Sequence, residues 1–302
     1  GTVGGWTQTQ YPFNGISKRL IYRNGVYYVT CGIEGTFPSS FTDTFRLDSL
    51  GEALAWTAET KIPVANYSMG GAASGPFVYA SAGSSGSTTV YMQAVNAEGR
   101  LTGAWSTVTS LPTSNQYHRM GAHNNFIYSV GGSVSPTEVQ YNSINPNTGA
   151  LGASWSLTSA MPNTGAYGHG MVIFANNIYV AGGADSLGYS NKVYRSPINT
   201  DGTLGAWSIE PSMISPRGYT SLAVANGYLY CVGGSDATGT YTSTIESAII
   251  NPDGSVGTWS ITATLPTGSH SGQSHAENGF LYSTIAYNGN VSRQMLRAPV
   301  RS

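Results

Sequence analysis

Residues 219–262 read YTSLAVANGYLYCVGGSDATGTYTSTIESAIINPDGSVGTWSIT, and this segment is the clearest unit of the chain. It contains four short runs of β-branched and aromatic residues, and turn residues separate them. Asn226-Gly227 is a tight hairpin turn, and Gly233-Gly234 ends the second run. The third run then turns at Asn251-Pro252-Asp253-Gly254 into a strand that carries Trp259. The pattern predicts four antiparallel strands in about 50 residues.

The same unit recurs along the whole chain. Its six tryptophans are spaced by 50, 49, 50, 52 and 52 residues, and the interval from the last, through the chain end, to the first is 49. The series is Trp6, Trp56, Trp105, Trp155, Trp207 and Trp259. A fixed period of this length indicates a repeat architecture that closes on itself.

A second aromatic series keeps the same register. A tyrosine follows each tryptophan at a nearly constant interval, at Tyr28, Tyr79, Tyr128, Tyr179, Tyr230 and Tyr282. Four strands repeated six times predict an all-β, six-bladed propeller that occupies residues 1–302 as one domain. We expect both aromatic series to pack between blades.

The chain ends predict how the ring closes. Arg297-Ala298-Pro299-Val300 resembles Arg195-Ser196-Pro197-Ile198, which precedes the strand with Trp207. The strand that should follow Val300 is missing there, and Thr2 to Gln8, with Trp6, supply it. We therefore expect the N-terminal segment to be the outermost strand of the last blade.

These motifs resemble the Kelch repeat, in which a double glycine follows a hydrophobic strand and a tryptophan comes later in the same repeat. The match is clearest at Gly131-Gly132, Gly182-Gly183 and Gly233-Gly234, whereas Cys31-Gly32, Ala82-Gly83 and Ile285-Ala286 depart from it. Kelch-like propellers include substrate adaptors, actin binders, a sialic-acid mutarotase and copper oxidases. The resemblance therefore implies a fold and no single function.

Composition narrows the partners and the setting. Only 9% of the residues are charged and the net charge is −1, which argues against nucleic acid because that partner requires clustered Lys and Arg. No apolar run is long enough to span a membrane. A surface rich in Tyr, Ser, Thr and Gly with three lysines favours an extracellular or cell-surface location. The first residue, Gly1, fits a processed protein or a domain of a longer one.

Metal and redox chemistry have little support in the sequence. Cys31 and Cys231 fall in repeats one and five, too far apart for a disulfide, so two buried free thiols are expected. His270 and His275 are five residues apart, and no HExxH motif or paired Cys/His spacing is present. We expect no metal site, no cofactor and no catalytic residue.

One mouth of the central channel is the candidate binding face. At a similar interval after each tryptophan the chain enters an innermost strand, where four repeats have tyrosine and two have Ser17 and Ser271. Loops after the double glycines, with Phe37, Phe41, Tyr189 and Tyr241, should share this face. The predicted binding residues are Tyr67, Tyr117, His118, Arg119, Tyr167, His169, Arg217, Tyr219 and His270.

Two interpretations of this mouth stay open. Tyrosine beside Arg or His provides stacking faces and hydrogen-bond donors for a glycan or a protein surface. Alternatively, the tyrosines cap the channel. Of the acidic residues, Glu34, Asp43, Asp185 and Asp236 fall in loops on this face, and no spacing brings two together as glycoside hydrolysis requires.

The leading hypothesis is an extracellular, non-enzymatic module that binds a glycan or protein or packs into a surface assembly. Few charged residues protect the outer blade edges, so self-association through them is a further expectation. One alternative is a carbohydrate-active enzyme of the Kelch-like mutarotase or oxidase type, with His118, Arg119, His169 and Arg217 as its candidate residues. The other alternative is an adaptor-type protein-interaction propeller.

Overall fold

The fold is known from a computed structural model. It describes residues 1–10, 19–34, 37–48, 52, 54–81, 83, 86–162, 167–185, 188–287 and 291–301. The described residues form strands, turns and bends, and none of them lies in a helix that could cross a membrane.

The strands form six four-stranded blades in chain order. Two N-terminal strands, β1 (Thr2–Val3) and β2 (Thr7–Gln10), belong to the last blade. Blade 1 contains β3 (Arg19–Arg23), β4 (Val26–Glu34), β5 (Phe37–Arg46) and β6 (Thr57–Ala58). Blade 2 contains β7 (Gly71–Ser74), β8 (Phe77–Ser81), β9 (Val90–Val95) and β10 (Leu101–Val108). Blade 3 contains β11 (Arg119–His123), β12 (Phe126–Val130), β13 (Val139–Ser143) and β14 (Ser156–Leu157).

The remaining three blades repeat this order. Blade 4 contains β15 (Gly170–Phe174), β16 (Asn177–Ala181), β19 (Val193–Pro197) and β20 (Ser208–Glu210), with a small hairpin of β17 (Ala184–Asp185) and β18 (Gly188–Tyr189). Blade 5 contains β21 (Ser221–Ala225), β22 (Tyr228–Val232), β23 (Thr244–Ile249) and β24 (Ser260–Thr264). Blade 6 contains β25 (Ser274–Glu277), β26 (Phe280–Tyr287) and β27 (Val291–Arg301) together with β1 and β2.

Every strand pairing within a blade is antiparallel, and the first strand of each blade is the innermost. Innermost strands of neighbouring blades lie against one another around the central channel, as β3 does with β7 and β21 with β25. The second strands are almost continuously buried, as in Phe77–Ser81 and Asn177–Ala181. A strand covered by blades on both faces has no solvent-exposed side, so its sequence is apolar rather than alternating.

The tryptophan series joins each blade to the one before it. The indole Nε1 donates to the Thr60 carbonyl from Trp105 at 2.9 Å, and to the Thr109 carbonyl from Trp155 at 3.0 Å. The same bond recurs from Trp207 to Ser159, from Trp259 to Pro211 and from Trp6 to Thr264. A buried indole N–H requires an acceptor, so this repeated bond sets the stacking of adjacent blades.

The tyrosine series joins each blade to the next. All six rings are at most 1% exposed, and four hydroxyls donate to glycine carbonyls in the third turn of the following blade. The bonds run from Tyr28 to Gly99, Tyr79 to Gly149, Tyr128 to Gly202 and Tyr179 to Gly254, at 2.8–3.0 Å. The predicted role of both aromatic series, packing between blades, is confirmed.

The N-terminal segment closes the ring as the sequence predicts. Thr2 and Val3 pair with Arg301 and Val300, and β2 pairs with the middle of β27, from Arg297 to Gln294. The two cysteines are buried free thiols, as expected, and burial raises the pKa of both.

Candidate functional site

One mouth of the channel is lined by a ring of residues with left-handed backbone. Their φ values lie between 52° and 67°, and each stands two or three residues before the first residue of an innermost strand. The five described members are Ser68, Tyr117, Gly168, Tyr219 and Ser271, which we call the mouth ring. Left-handed backbone is uncommon for tyrosine and marks strain that neighbouring contacts must hold.

Backbone hydrogen bonds between blades hold the mouth ring. The Tyr117 N–H donates to the Ser68 carbonyl at 3.0 Å, and the Gly168 N–H donates to the Tyr117 carbonyl at 3.1 Å. The Ser271 N–H likewise donates to the Tyr219 carbonyl at 3.0 Å. Three of the five ring members thus turn their N–H groups towards the preceding blade.

The double glycines hold the loops that lead into the ring. The N–H of Gly183 donates to the Arg217 carbonyl at 2.9 Å, and that of Gly234 to the Ser269 carbonyl at 2.7 Å. A Cβ on Gly182 would lie 2.6 Å from the Arg217 carbonyl oxygen, and the φ of Gly182 is 68°. Glycine is needed because the next blade's backbone approaches too closely for a side chain.

The structure corrects the predicted alignment of the repeats at two positions of the mouth ring. The sequence pattern aligns Tyr67 and Tyr167 with Tyr117 and Tyr219, but each lies one residue before the ring. Ser68 and Gly168 stand in the ring instead. Ser68 lies 12 residues after Trp56, the same interval as from Trp105 to Tyr117, whereas Gly168 lies 13 residues after Trp155, so the entry loop of blade 4 is one residue longer. Ser17, the sixth predicted member, lies outside the described residues.

Aromatic rings converge at this mouth. Tyr117, Tyr167 and Tyr219 form a triangle with ring centroids 5.3–6.0 Å apart, and all three are half-buried. His270 packs edge-on against Tyr219 at 4.3 Å, and Tyr189 packs against Tyr219 at 6.3 Å. Such tilted and edge-to-face pairs are favourable beyond the area they bury. The structure thus brings four of the predicted site residues together.

The double-glycine loops contribute unequally to the cluster. Tyr189 joins it directly, and Tyr241 joins it through His270 at 5.7 Å. Phe41 is buried in β5, and Phe37 is 75% exposed. Tyr67 is half-buried, and no described ring packs against it. The site is therefore centred on blades 3 to 6.

The mouth cluster is uncharged near neutral pH. Burial lowers the pKa of His270 to about 4, so its imidazole is neutral. Burial, and then the neighbouring phenols, raise the pKa of Tyr219, so its hydroxyl stays protonated. The mouth consequently offers aromatic faces and neutral hydrogen-bonding groups.

Two of the predicted binding histidines lie inside the protein. His118 and His169 are each 0% exposed. The His118 Nε2 lies 2.7 Å from the Ser81 hydroxyl oxygen, and burial followed by Arg19 and Arg119 lowers its pKa to about 3. Their side chains lie behind the mouth, so neither presents a surface to a ligand there.

Arg217, which the sequence places at the mouth, is instead the centre of a buried ion pair. Its guanidinium bonds the Glu246 carboxylate, the Thr244 hydroxyl at 2.9 Å and the Thr244 carbonyl at 3.0 Å. Both charged side chains are 0% exposed. Glu246 also accepts the backbone N–H groups of Ile214 and Ser215. The pair secures the loop that leads into blade 5.

Arg119 lies in the channel beneath the tyrosines, facing an arginine that the sequence reasoning missed. Arg19 and Arg119 are 6% and 9% exposed, and both begin innermost strands. They occupy the same register, because Arg19 pairs with Thr30 as Arg119 pairs with Val130. Arg19 follows Ser17 as Arg119 follows Tyr117, which is the sequence signal that could have found it.

The predicted acidic candidates do not gather at the mouth. Asp43 lies within strand β5 rather than in a loop, and burial with the nearby Glu59 raises its pKa to about 6. Asp236 is a turn former whose carboxylate accepts the Thr238 and Thr240 N–H groups. The side chains of Glu34 and Asp185 lie outside the described set. Among the described residues, no three His, Cys, Asp or Glu side chains group as a metal site would.

Comparison with known proteins agrees with this architecture. The Kelch motif model matches residues 216–247, which span the Arg217 loop, the double glycine of blade 5 and most of β23. A solved structure titled "Structure of YjhT" superposes with a TM-score of 0.72 over 95% of each chain, at 16% sequence identity. This chain is a six-bladed β-propeller that carries a Kelch motif in blade 5. No curated protein matches its sequence.

The Kelch propeller fold fits a binding or protein-interaction module, since its loops gather on the two channel mouths. At 16% identity the solved structure supports the fold alone. In this propeller, the aromatic mouth and the two channel arginines are the features that bear on function.

Proposed function

We propose that this propeller is an extracellular, non-enzymatic binding module whose tyrosine mouth recognises a neutral glycan or a protein surface. The observation that carries the proposal is the triangle of Tyr117, Tyr167 and Tyr219, with His270 and Tyr189 packed around it. Half-buried tyrosines expose ring faces together with hydroxyls that donate and accept hydrogen bonds. Rigid tyrosines of this kind dominate recognition surfaces because they lose little conformational entropy on binding.

The shape of the mouth favours surface contact over a deep pocket. The cavity directly beneath the ring, lined by Tyr117, Tyr219 and Ser271, has a volume of about 20 Å³. One water molecule needs roughly 10–15 Å³ of such space, so a sugar ring does not fit below the tyrosines. A partner would therefore lie across the rings. The narrow space directly below the rings counts against a carbohydrate-active enzyme at this mouth, because a sugar ring cannot pass it to reach the wider polar cavity deeper in the channel.

A glycan array tests the glycan form of the proposal. We expect specific binding by the unaltered chain, and at least a tenfold weaker signal when Tyr117, Tyr167 and Tyr219 are changed together to alanine. Loss of stacking at about 1–2 kcal/mol per ring is enough for this effect. Equilibrium titration with the glycan found on the array gives the dissociation constants.

The matched control is Tyr67→Ala, since Tyr67 lies beside the mouth but outside the packed rings. It should bind as the unaltered chain does, and a denaturation curve should show that the triple variant is folded. Binding that survives in the folded triple variant would refute the mouth as the site. If the unaltered chain binds no glycan, the glycan form of the proposal is wrong, and the surface of another protein is the remaining proposed partner.

A second observation favours side-by-side packing. The outer strands of blades 3, 4 and 5 each expose one large aliphatic side chain two residues after the tryptophan. Leu157, Ile209 and Ile261 are 66%, 69% and 53% exposed. An outer strand also presents unpaired backbone groups along its free edge, so these edges could pair with a second molecule.

Sedimentation equilibrium tests this packing. We expect association at high protein concentration, and at least a tenfold higher dissociation constant when Leu157, Ile209 and Ile261 are all changed to threonine. Ile214→Thr is the control, because Ile214 is 53% exposed but lies in a loop. A strictly monomeric chain at millimolar concentration would contradict the proposed assembly.

A further inference from the structure

The central channel contains two buried cations side by side. Arg19 and Arg119 begin the innermost strands of blades 1 and 3, and both line the cavity below the mouth ring. Burial, followed by the charge of Arg119, lowers the pKa of Arg19, and burial lowers the pKa of Arg119 to about 10. Guanidinium groups stay protonated in proteins, so both charges persist at neutral pH.

No described carboxylate neutralises these charges. Five ion pairs are found among the described residues, and neither channel arginine takes part in one. Their acceptors are neutral: Arg19 donates to the Met69 and His118 carbonyls and to Gln273 Oε1 at 2.6 Å. Buried charges are normally paired, because an uncompensated ion loses its hydration without replacement.

Arg119 has N–H groups to spare. Its Nε donates to the His169 carbonyl at 2.7 Å and its Nη2 to the Thr220 carbonyl at 3.1 Å. An arginine has five N–H donors, so three of them have no acceptor among the described residues. One Nη1 hydrogen of Arg19 and one amide hydrogen of Gln273 are similarly unused. The donors thus outnumber the acceptors.

The space beside these donors suits a small ligand. The cavity lined by Arg19, Arg119 and Gln273, with Ser221 and Ser274, has a volume of about 100 Å³. That exceeds several-fold the space that one water molecule needs. Gly71, which also lines the cavity, leaves room for the Arg19 side chain, because a Cβ there would lie 2.5 Å from the Arg19 Cγ.

We propose that the channel binds a small oxyanion, of the size of phosphate, sulfate or a short carboxylate, between Arg19 and Arg119. Its oxygens accept the unused N–H groups of both guanidiniums and of Gln273, and its negative charge relieves the repulsion between the two cations. Charge-assisted bonds of this kind are the strongest that arginine forms. The site lies beneath the tyrosine mouth and does not depend on what that mouth recognises.

Thermal denaturation in increasing inorganic phosphate, at constant ionic strength set with a bulky organic salt, tests the site. A ligand that binds only the folded state raises the denaturation midpoint in proportion to the logarithm of its concentration above the dissociation constant. We expect this rise for the unaltered chain and at least a fivefold weaker apparent affinity in Arg119→Gln. Titrations with sulfate, acetate and chloride then distinguish the anions.

The control is Arg301→Gln, which makes the same chemical change at an exposed position. It should respond to phosphate as the unaltered chain does, whereas general salting effects should appear equally in all three proteins. If Arg119→Gln fails to fold, Arg119→Lys retains the charge without the planar fork and should show weakened binding. A phosphate response equal in all folded variants, or none in the unaltered chain, would overturn the proposal.

Discussion

Replacing Glu246 with glutamine should lower the free energy of unfolding by about 3–5 kcal/mol, because it leaves Arg217 as a buried cation without a counter-charge. Glutamine keeps one oxygen, which can still accept from Arg217 and Ser215, but its NH2 group replaces the oxygen that accepts the Ile214 N–H, so the loss combines the missing charge with one backbone hydrogen bond. Arg217→Met should cost a similar amount by stranding the carboxylate. Urea denaturation of each variant measures these losses.

The double variant Arg217→Met with Glu246→Gln separates pairing from burial. Its loss of stability should be smaller than the sum of the two single losses by about 2 kcal/mol, since no buried charge is left unpaired. Arg100→Met is the half-exposed comparison: the Arg100 side chain is 46% exposed although its partner Glu59 is 3% exposed, so its loss should cost less than that of Arg217, about 1–2 kcal/mol. A Glu246→Gln variant as stable as the unaltered chain would contradict the assignment.

The fold was predictable because its determinants repeat. Trp105 and Trp155 make the same indole-to-carbonyl bond to the preceding blade. The same structural requirement therefore places a tryptophan at a regular interval in the sequence. Closure was predictable for the same reason. The sequence after Arg297 lacks an outer strand, and the segment around Trp6 supplies it with the same bond to Thr264.

The site was predictable only in part, because its determinants do not repeat. Tyr67 lies 11 residues after Trp56, one fewer than the 12 between Trp105 and Tyr117, and an alignment by residue type hid this difference. Tyr167 does lie 12 residues after its tryptophan, but the entry loop of blade 4 is one residue longer, so Gly168 takes the ring position. Arg217 was misplaced because its partner, Glu246, lies 29 residues away on another strand. Polar residues beside a mouth can face outwards or inwards, and only the packing of neighbouring blades decides which.

The channel arginines also show that sequence patterns miss equivalent positions when the residues around them differ. Arg119 was identified because it follows a tyrosine, whereas Arg19 follows Ser17 and was overlooked. The strand register makes their equivalence plain, and the corresponding residues of blades 5 and 6 are Ser221 and Gln273. A ring of unlike residues at one register position is what distinguishes a site from the repeated packing around it.

Deleting residues 1–10 should lower the free energy of unfolding by about 3–6 kcal/mol, since it removes the strands that pair with β27 and the Trp6 contact with Thr264. The deletion also uncovers the long edge of β27, where Leu296, Ala298 and Val300 are buried. A long uncovered edge pairs readily with other chains, so the variant should also aggregate. Denaturation midpoints and size-exclusion profiles measure both effects.

A circular permutant shows whether closure or chain order matters. Because Thr2 pairs with Arg301, a short linker can join the two ends, and new ends can be opened in the exposed turn at residues 200–201. This permutant keeps every strand pairing, so its free energy of unfolding should be at least that of the unaltered chain. The deletion variant should be less stable than both. A synthetic peptide of residues 1–10 added to the deletion variant should restore part of its stability in a concentration-dependent way. The prediction would be contradicted if the deletion changed the free energy of unfolding by less than about 1 kcal/mol. The ring would then stay closed without the N-terminal strands, and the interblade bonds of the remaining tryptophans would be sufficient to hold it.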